Sequence, residues 1–472
     1  MKCFLLVSFL LSSFMFTLVA AEDGELLGSL TSRSGRTIEK IAWSDTQNDY
    51  VIVTYPKGFD SNKIYHINFW FPGTGGKPSP GIEDSLENFI GIGLSYLDKD
   101  KVPSNGYATE HWKLCQDVER LIVKRKNLKV SRRMVSGVSK GGWMAYYMSL
   151  EPLEGLHGTA IIAAGQHKGG IPPLKKNLDH LAVFVGTGET DSNYPHAQMA
   201  VNFFNQSQIH SFCYEEWLEK GHVSITSPRV MEWLMVQGKR GEPKNILVDY
   251  CEEEVQKKLE KIAMLSSDKE KYIAVRHLLR APTMHYVSAV TSDKVKTQGK
   301  ELTEKSEIKE WLAELNKLRS MIQREAKFYH DGRREPDLLG KFVKGYEQVS
   351  LESKHPDIAR RAAYAYMRNL KNHTIEIIKE EHLATTEYPV LKARFDELSK
   401  KVGTAREPVQ ADYDEMQELF NKLRTLSLDA GMKGFYEVEW HKKVTPDPKV
   451  KQVLETTAKS KSAVEVYSGL GF

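Results

Sequence analysis

The stretch MVSGVSKGGWMAYYMSL, residues 134–150, sets Gly137, Gly141 and Gly142 around Ser139 where an apolar, strand-like run gives way to a helix-like one. Fixing a glycine costs conformational entropy, so a cluster at such a junction marks backbone that needs positive φ or very close approach. Two kinds of turn have that requirement: a loop that cradles phosphate, and a strand-to-helix turn that presents a serine. A phosphate loop needs GxxxxGK[ST], and a dinucleotide loop needs GxGxxG with an acidic residue after the next strand. VSGVSKGG satisfies neither. It does satisfy GxSxG, as Gly137-Val138-Ser139-Lys140-Gly141, between strand-like Arg133–Ser136 and helix-like Trp143–Leu150. In that setting the serine stands on a sharp turn with its hydroxyl exposed, and the flanking glycines leave room for the turn to close. Chance alone would produce GxSxG roughly 0.15 times in a chain of this length, so its partners must carry the argument.

A nucleophilic serine needs donors for the developing oxyanion, a base, and a carboxylate that orients the base. FWFPGTGG, residues 69–76, ends an earlier strand in a glycine loop and would supply the backbone N–H of Thr74, with that of Lys140 as the second donor. The Lys140 side chain is placed at the rim of the site. LAVFVGTGETD ends a later strand at Asp191, and EKGHVSITSPRVMEWL carries His222 just before a helix, which gives the order Ser, acid, His. Glu189 is the competing acid; Asp191 is preferred because two further residues move its carboxylate beyond the strand edge, towards the His222 loop. His167, in AAGQHKGG, is the competing histidine. It precedes the acid and is assigned to the pocket wall or to no role; Trp143 and Tyr194 are candidates for the same wall, with ordinary core positions as the alternative.

Around these motifs, YVIVTYP, YHINFWFPG, FIGIGLSYL, RRMVSGVS, GTAIIAAG and HLAVFVGTG read as strands, alternating with helical patterns such as HWKLCQDVERLIVKR (111–125) and PHAQMAVNFF (195–204). Strand-helix alternation with runs apolar throughout predicts an α/β fold, a mainly parallel sheet flanked by helices. Residues 45–237 resemble an α/β-hydrolase of the dienelactone hydrolase, polyhydroxybutyrate-depolymerase and feruloyl-esterase type. The residues that match are Pro72-Gly73-Thr74-Gly75, Asp117-Val118, Gly137–Gly141, Gly188–Asp191 and Gly221-His222. The departure is Pro72, where these families commonly carry His. The resemblance implies a cofactor-free carboxylic-ester hydrolase with Ser139 as nucleophile, His222 as base and Asp191 as its orienting acid. Two rivals share these residues: a prolyl-oligopeptidase-like peptidase, and an inactive hydrolase fold used as a binding module.

Organisation changes near GKRGEPKN, residues 238–245, read as a linker between a hydrolase-like domain (22–237) and a separate all-helical domain (246–472). In the latter, Ile308, Trp311, Leu312, Leu315, Leu318 and Ile322 form one helical stripe, and Tyr413, Met416, Leu419, Phe420, Leu423 and Leu426 another. Residues 338–370 suggest a helical hairpin turning at His355-Pro356-Asp357, repeat-like but without a fixed period. This half is where a protein partner or self-association is expected. About 15 residues separate the strand ending at Gly165 from the next, near His180, too few for a large helical lid. An open cleft for polar or polymer-borne esters is therefore expected.

The remaining features limit the function class. With 66 basic and 62 acidic residues interspersed, the chain lacks the concentrated basic face of a nucleic-acid binder. Residues 1–21 read as a signal peptide, with one early Lys, an apolar core and Val19-Ala20-Ala21 before Glu22. Secreted or periplasmic location follows as an expectation, with no transmembrane segment after cleavage. Cleavage removes Cys3 and leaves Cys115, Cys213 and Cys251, which allow at most one internal disulfide. No HExxH or His/Cys cluster suggests a metal site.

Overall fold

The computed structural model describes residues 24–46, 48–81, 86–98, 101, 103–166, 177–189, 191, 193–217, 220–222, 227–330, 335–404, 409–439 and 443–457. The expected signal peptide and His167 lie outside them, as does most of the segment on which the absence of a lid was argued.

The described residues of the first half build one nine-stranded sheet. Its strands are β1 (Leu26–Thr31), β2 (Thr37–Ala42), β3 (Tyr50–Tyr55), β4 (Ile64–Phe71), β5 (Phe89–Gly93), β6 (Lys129–Val138), β7 (Gly158–Ile162), β8 (Asn177–Gly188) and β9 (Gln208–Trp217), in the order β1-β2-β3-β5-β4-β6-β7-β8-β9. The pairs β1–β2, β2–β3 and β3–β5 are antiparallel; the rest are parallel. Helices α1 (Asn105–Lys126), α2 (Lys140–Leu150), α3 (Tyr194–Gln206) and α4 (Pro228–Lys239) connect and cover it. Covered faces explain why the central strands read as unbroken apolar runs: Ile67, Phe69, Ile90, Ile92, Val135, Val183 and Val185 are fully buried. Each contributes about 1.5–3 kcal/mol of apolar burial.

The order places the site. β4 has β5 on one side and β6 on the other, so chain connections leave it in opposite directions. A crevice opens at the carboxyl ends of strands at such a reversal. FPGTGG follows β4 and GVSKG closes β6, so both meet at that crevice.

The second half is helical: α5 (Lys244–Ala263), α6 (Asp268–Leu278), a 3-10 turn (Pro282–His285), α7 (Ala289–Thr303), α8 (Ser306–His330), α9 (Pro336–Glu352), α10 (Pro356–Ala384), α11 (Tyr388–Thr404), α12 (Gln410–Glu439) and α13 (Pro448–Thr457). α9 and α10 form the expected hairpin, with Pro356 at the first turn of α10, where its missing N–H costs nothing. Of the first stripe, Ile308, Trp311, Leu315, Leu318 and Ile322 are buried on α8. The second stripe needs correction: on α12, Leu419 and Leu423 are buried, whereas Tyr413 and Phe420 are about half exposed.

Residues 238–245, read from sequence as the linker, form a helix corner. Gly238 and Lys239 finish α4, Lys244 and Asn245 open α5, and only 240–243 intervene. Gly238 is buried so closely that a Cβ there would lie 2.8 Å from the His66 ring. The halves are packed together through polar as well as apolar contacts: Lys258 bonds Glu232 at 2.7 Å, Thr283 bonds Glu232 at 2.7 Å, and Arg229 bonds the His277 carbonyl at 2.7 Å. Cys115, Cys213 and Cys251 are all free and buried, so no disulfide forms among them. No helix among the described residues is long and apolar enough to cross a membrane.

Candidate active site

Ser139 joins sheet to helix. Its N–H donates to the Ile162 carbonyl of β7 at 2.9 Å, and its own carbonyl accepts the Trp143 N–H of α2 at 2.9 Å. Satisfying both forces φ 56°, ψ −116°, outside the left-handed well that non-glycine residues tolerate. Holding such a conformation costs on the order of 1–3 kcal/mol and persists only where the surroundings dictate it. The glycines are those surroundings. A Cβ on Gly137 would lie 2.4 Å from the Gly141 backbone, one on Gly141 2.1 Å from the Phe71 carbonyl oxygen, and one on Gly142 2.5 Å from the Ile162 oxygen.

These distances make a prediction. Gly141→Ala is expected to lower stability by about 1–3 kcal/mol through overpacking. Gly106→Ala, where nothing lies within 4 Å, is the control and should be neutral or stabilising. Urea unfolding of both variants checks it, and equal stabilities would show that the turn is not jammed.

The loop after β4 lies against the serine: a Cβ built on Gly73 would sit 3.5 Å from the Ser139 Cβ. Its conformation is fixed from behind. The Tyr96 hydroxyl donates to the Pro72 carbonyl, and the Lys140 ammonium lies 4.3 Å above the Tyr96 ring. Lys140 is therefore buried, not at the rim as expected from sequence. His111, also buried, accepts the Leu97 N–H at Nε2 (3.1 Å), which leaves Nδ1 as the protonated nitrogen donating to the Tyr107 carbonyl at 2.8 Å. Burial pushes its pKa down to about 4, with Tyr107 opposing and the Lys140 charge reinforcing the shift, so it stays neutral. Neither Tyr96 nor His111 was singled out from sequence; both occur in runs indistinguishable from core.

His222 Nδ1 and Asp191 Oδ1 are 2.9 Å apart. Asp191 is fully buried, its Oδ1 also accepts the Asn193 N–H at 2.8 Å, and His222 is 42% exposed, open on its other side. The hydrogen bond to Asp191 raises the His222 pKa above its ordinary value of 6.5, against the opposing effect of burial. Gly188 lets the two loops meet: a Cβ there would lie 2.3 Å from the Lys220 oxygen and 2.4 Å from the Gly221 oxygen.

The other candidates lie elsewhere. Glu189 is turned away from His222, and its Oε1 accepts Arg361 Nε of α10 at 2.6 Å. Tyr194 belongs to the packing between the halves; it is buried, donates its hydroxyl to Glu216 at 2.6 Å and stacks beneath Arg368, 4.8 Å from ring centroid to guanidinium carbon. It is not a wall of the serine crevice as sequence suggested. Trp143 is half-buried, edge-on to His196. No group of three or more metal-ligating side chains occurs among the described residues.

No family model matches the sequence, and no curated protein matches it. The sheet half has the α/β-hydrolase fold. That follows from its strand order and the turn at Ser139. Solved structures similar in fold include a feruloyl esterase module from Clostridium thermocellum, complexed with sinapinate, at 15% identity and TM-score 0.32, covering 43% of this chain and 89% of that one. A ferulic acid esterase from Anaeromyces mucronatus shows 12% identity and TM-score 0.31, covering 43% and 88%. An S-formylglutathione hydrolase from Agrobacterium tumefaciens shows 11% identity and TM-score 0.31, covering 42% and 92%.

Proposed function

We propose that the protein is an exported serine hydrolase that cleaves carboxylic esters. The observation that carries the reading is the pairing of a strained Ser139, packed against the Gly73 loop, with a His222 whose Nδ1 is committed to a buried Asp191. A histidine held in that way keeps its Nε2 lone pair available as a base. In the proposed reaction Ser139 Oγ attacks the ester carbonyl carbon while its proton passes to His222 Nε2. The carbonyl oxygen becomes negative and accepts from the Thr74 and Lys140 N–H groups. The tetrahedral intermediate then expels the alcohol, which leaves with the proton from His222. Water, deprotonated by the same nitrogen, attacks the acyl carbon; the bond to Ser139 Oγ breaks, Oγ recovers the proton from His222, and the acid is released. Asp191 stabilises the imidazolium in both halves. The Val19-Ala20-Ala21 pattern supports export, and the substrate side stays with the short-acyl, aryl or sugar-borne esters that an open crevice admits.

Fluorophosphonate labelling tests this directly. The purified protein is expected to take up one probe per chain at Ser139, with none in Ser139→Ala, and to turn over aryl acetates. Absence of labelling in the wild-type protein would overturn the proposal.

A further inference from the structure

A second cavity, of roughly 440 Å³, lies between the halves, bounded by α3, β9, α8 and α10. Its charge balance is unusual. Arg280, Arg319 and Arg361 all line it, and Glu216 is the one carboxylate among the lining residues. That carboxylate is already committed: Oε1 accepts the hydroxyls of Tyr194 (2.6 Å) and Tyr214 (2.9 Å) and the Gln198 amide (3.2 Å), and Oε2 accepts Arg361. Arg361 is in turn shared with Glu189. Arg280 and Arg319 have no hydrogen-bonded carboxylate among the described residues.

Arg319 feels the imbalance. Burial, then the like charges of Arg361 and Arg280, hold its guanidinium below the usual arginine range; Glu216 opposes the shift and Arg276 adds to it. Arg319 is half-buried and Arg280 stands exposed at the mouth; their like charges repel, a cost that a carboxylate or phosphate oxygen removes by accepting their forked N–H donors. Asn202, Asn205 and Gln323 add neutral amides to the same walls, while Phe212 and Ile322 give an apolar floor. A concave site with few, converging polar groups is the usual form of a small-molecule pocket.

We infer that this cavity binds a small organic oxyanion, its carboxylate or phosphate group held by Arg280 and Arg319, at a site separate from the serine crevice. The inference does not depend on the ester chemistry proposed above. The ligand completes the charge balance that the protein leaves open, and it bridges the sheet half (α3, β9) to the helical half (α8, α10).

Thermal unfolding of the full chain at constant ionic strength tests it, with sodium chloride, inorganic phosphate and succinate as probes. Saturable stabilisation by phosphate or by succinate, absent with chloride, is expected, and which of the two acts distinguishes a phosphate ligand from a carboxylate one. In Arg319→Gln the apparent affinity should fall at least tenfold, while the ligand-free variant should unfold at the same temperature as wild type or higher, because a repelling charge has gone. Ser139→Ala should keep the response. Stabilisation equal to that given by chloride, or stabilisation that survives in Arg319→Gln, would overturn the inference, as would no response to either anion.

Discussion

Replacing Asp191 with Asn is expected to lower ester turnover by about four orders of magnitude while leaving the fold intact. The carboxylate is fully buried and bonded to His222 Nδ1 at 2.9 Å, so its charge acts on the imidazole with little screening by water. The neutral amide keeps the shape but removes the charge that, in the proposed reaction, stabilises the imidazolium formed as Ser139 gives up its proton. The pH profile gives a second readout. A base must be neutral to act, and Asp191 raises the His222 pKa above 6.5, so wild-type turnover should be low in acid and rise through a midpoint above that value. In Asp191→Asn the main cause of the raised pKa is gone, and the midpoint should move down. Glu189→Gln is the contrasting variant, since Glu189 contacts Arg361 and not His222. A fall of less than tenfold in Asp191→Asn, or an unmoved midpoint, would assign the acid's role elsewhere.

The parts of the molecule legible in the sequence are those whose determinants lie close together in the chain. β3 to β8 each contain a continuous apolar run, and the Ser139 turn carries its glycines within six positions, so both could be read locally. Boundaries shifted where burial extends beyond the apolar core: β8 begins at Asn177, three residues before the expected His180. β1, β2 and β9 escaped notice for physical reasons. β1 is a short edge strand with no buried residue, and β2 carries Lys and Glu between its apolar positions. β9 reads QIHSFCYEEW, and its charges make sense only once partners remote in sequence arrive: Glu215 bonds Ser227, and Glu216 bonds Tyr194 and Arg361. Lys140 was misplaced for the same reason, since nothing near it in sequence announces the Tyr96 ring. Gly and Pro near residues 238–245 mark the connection between the halves, and a helix corner carries them as readily as an extended segment.

That remote pairing underlies the second large effect, at Arg361. Its guanidinium bridges Glu189, at the end of β8, to Glu216 on β9, and two turns along α10 Arg368 donates to the Glu189 carbonyl. The helical half thus grips the turn that carries Asp191 two residues later. Removing one partner of a buried ion pair leaves the other charge uncompensated, so Arg361→Gln is expected to cost about 3–5 kcal/mol. The deficit should depend on pH, with a sign set by Glu189. Burial pushes the Glu189 carboxyl up to about 7 even against the pull of Arg361, and without Arg361 it should titrate higher still. A carboxyl raised in the folded state contributes stability at low pH, where it is protonated, and loses it as pH rises through its folded-state value. The variant's deficit should therefore be larger at pH 8 than at pH 5.5, when urea unfolding of the two proteins is compared at both. Labelling of Ser139 should slow at the higher pH, because the Asp191 turn loosens with the strap. Equal deficits at the two pH values would mean that Arg361 contributes packing and not charge, and an unchanged stability would mean that the two halves do not depend on this contact.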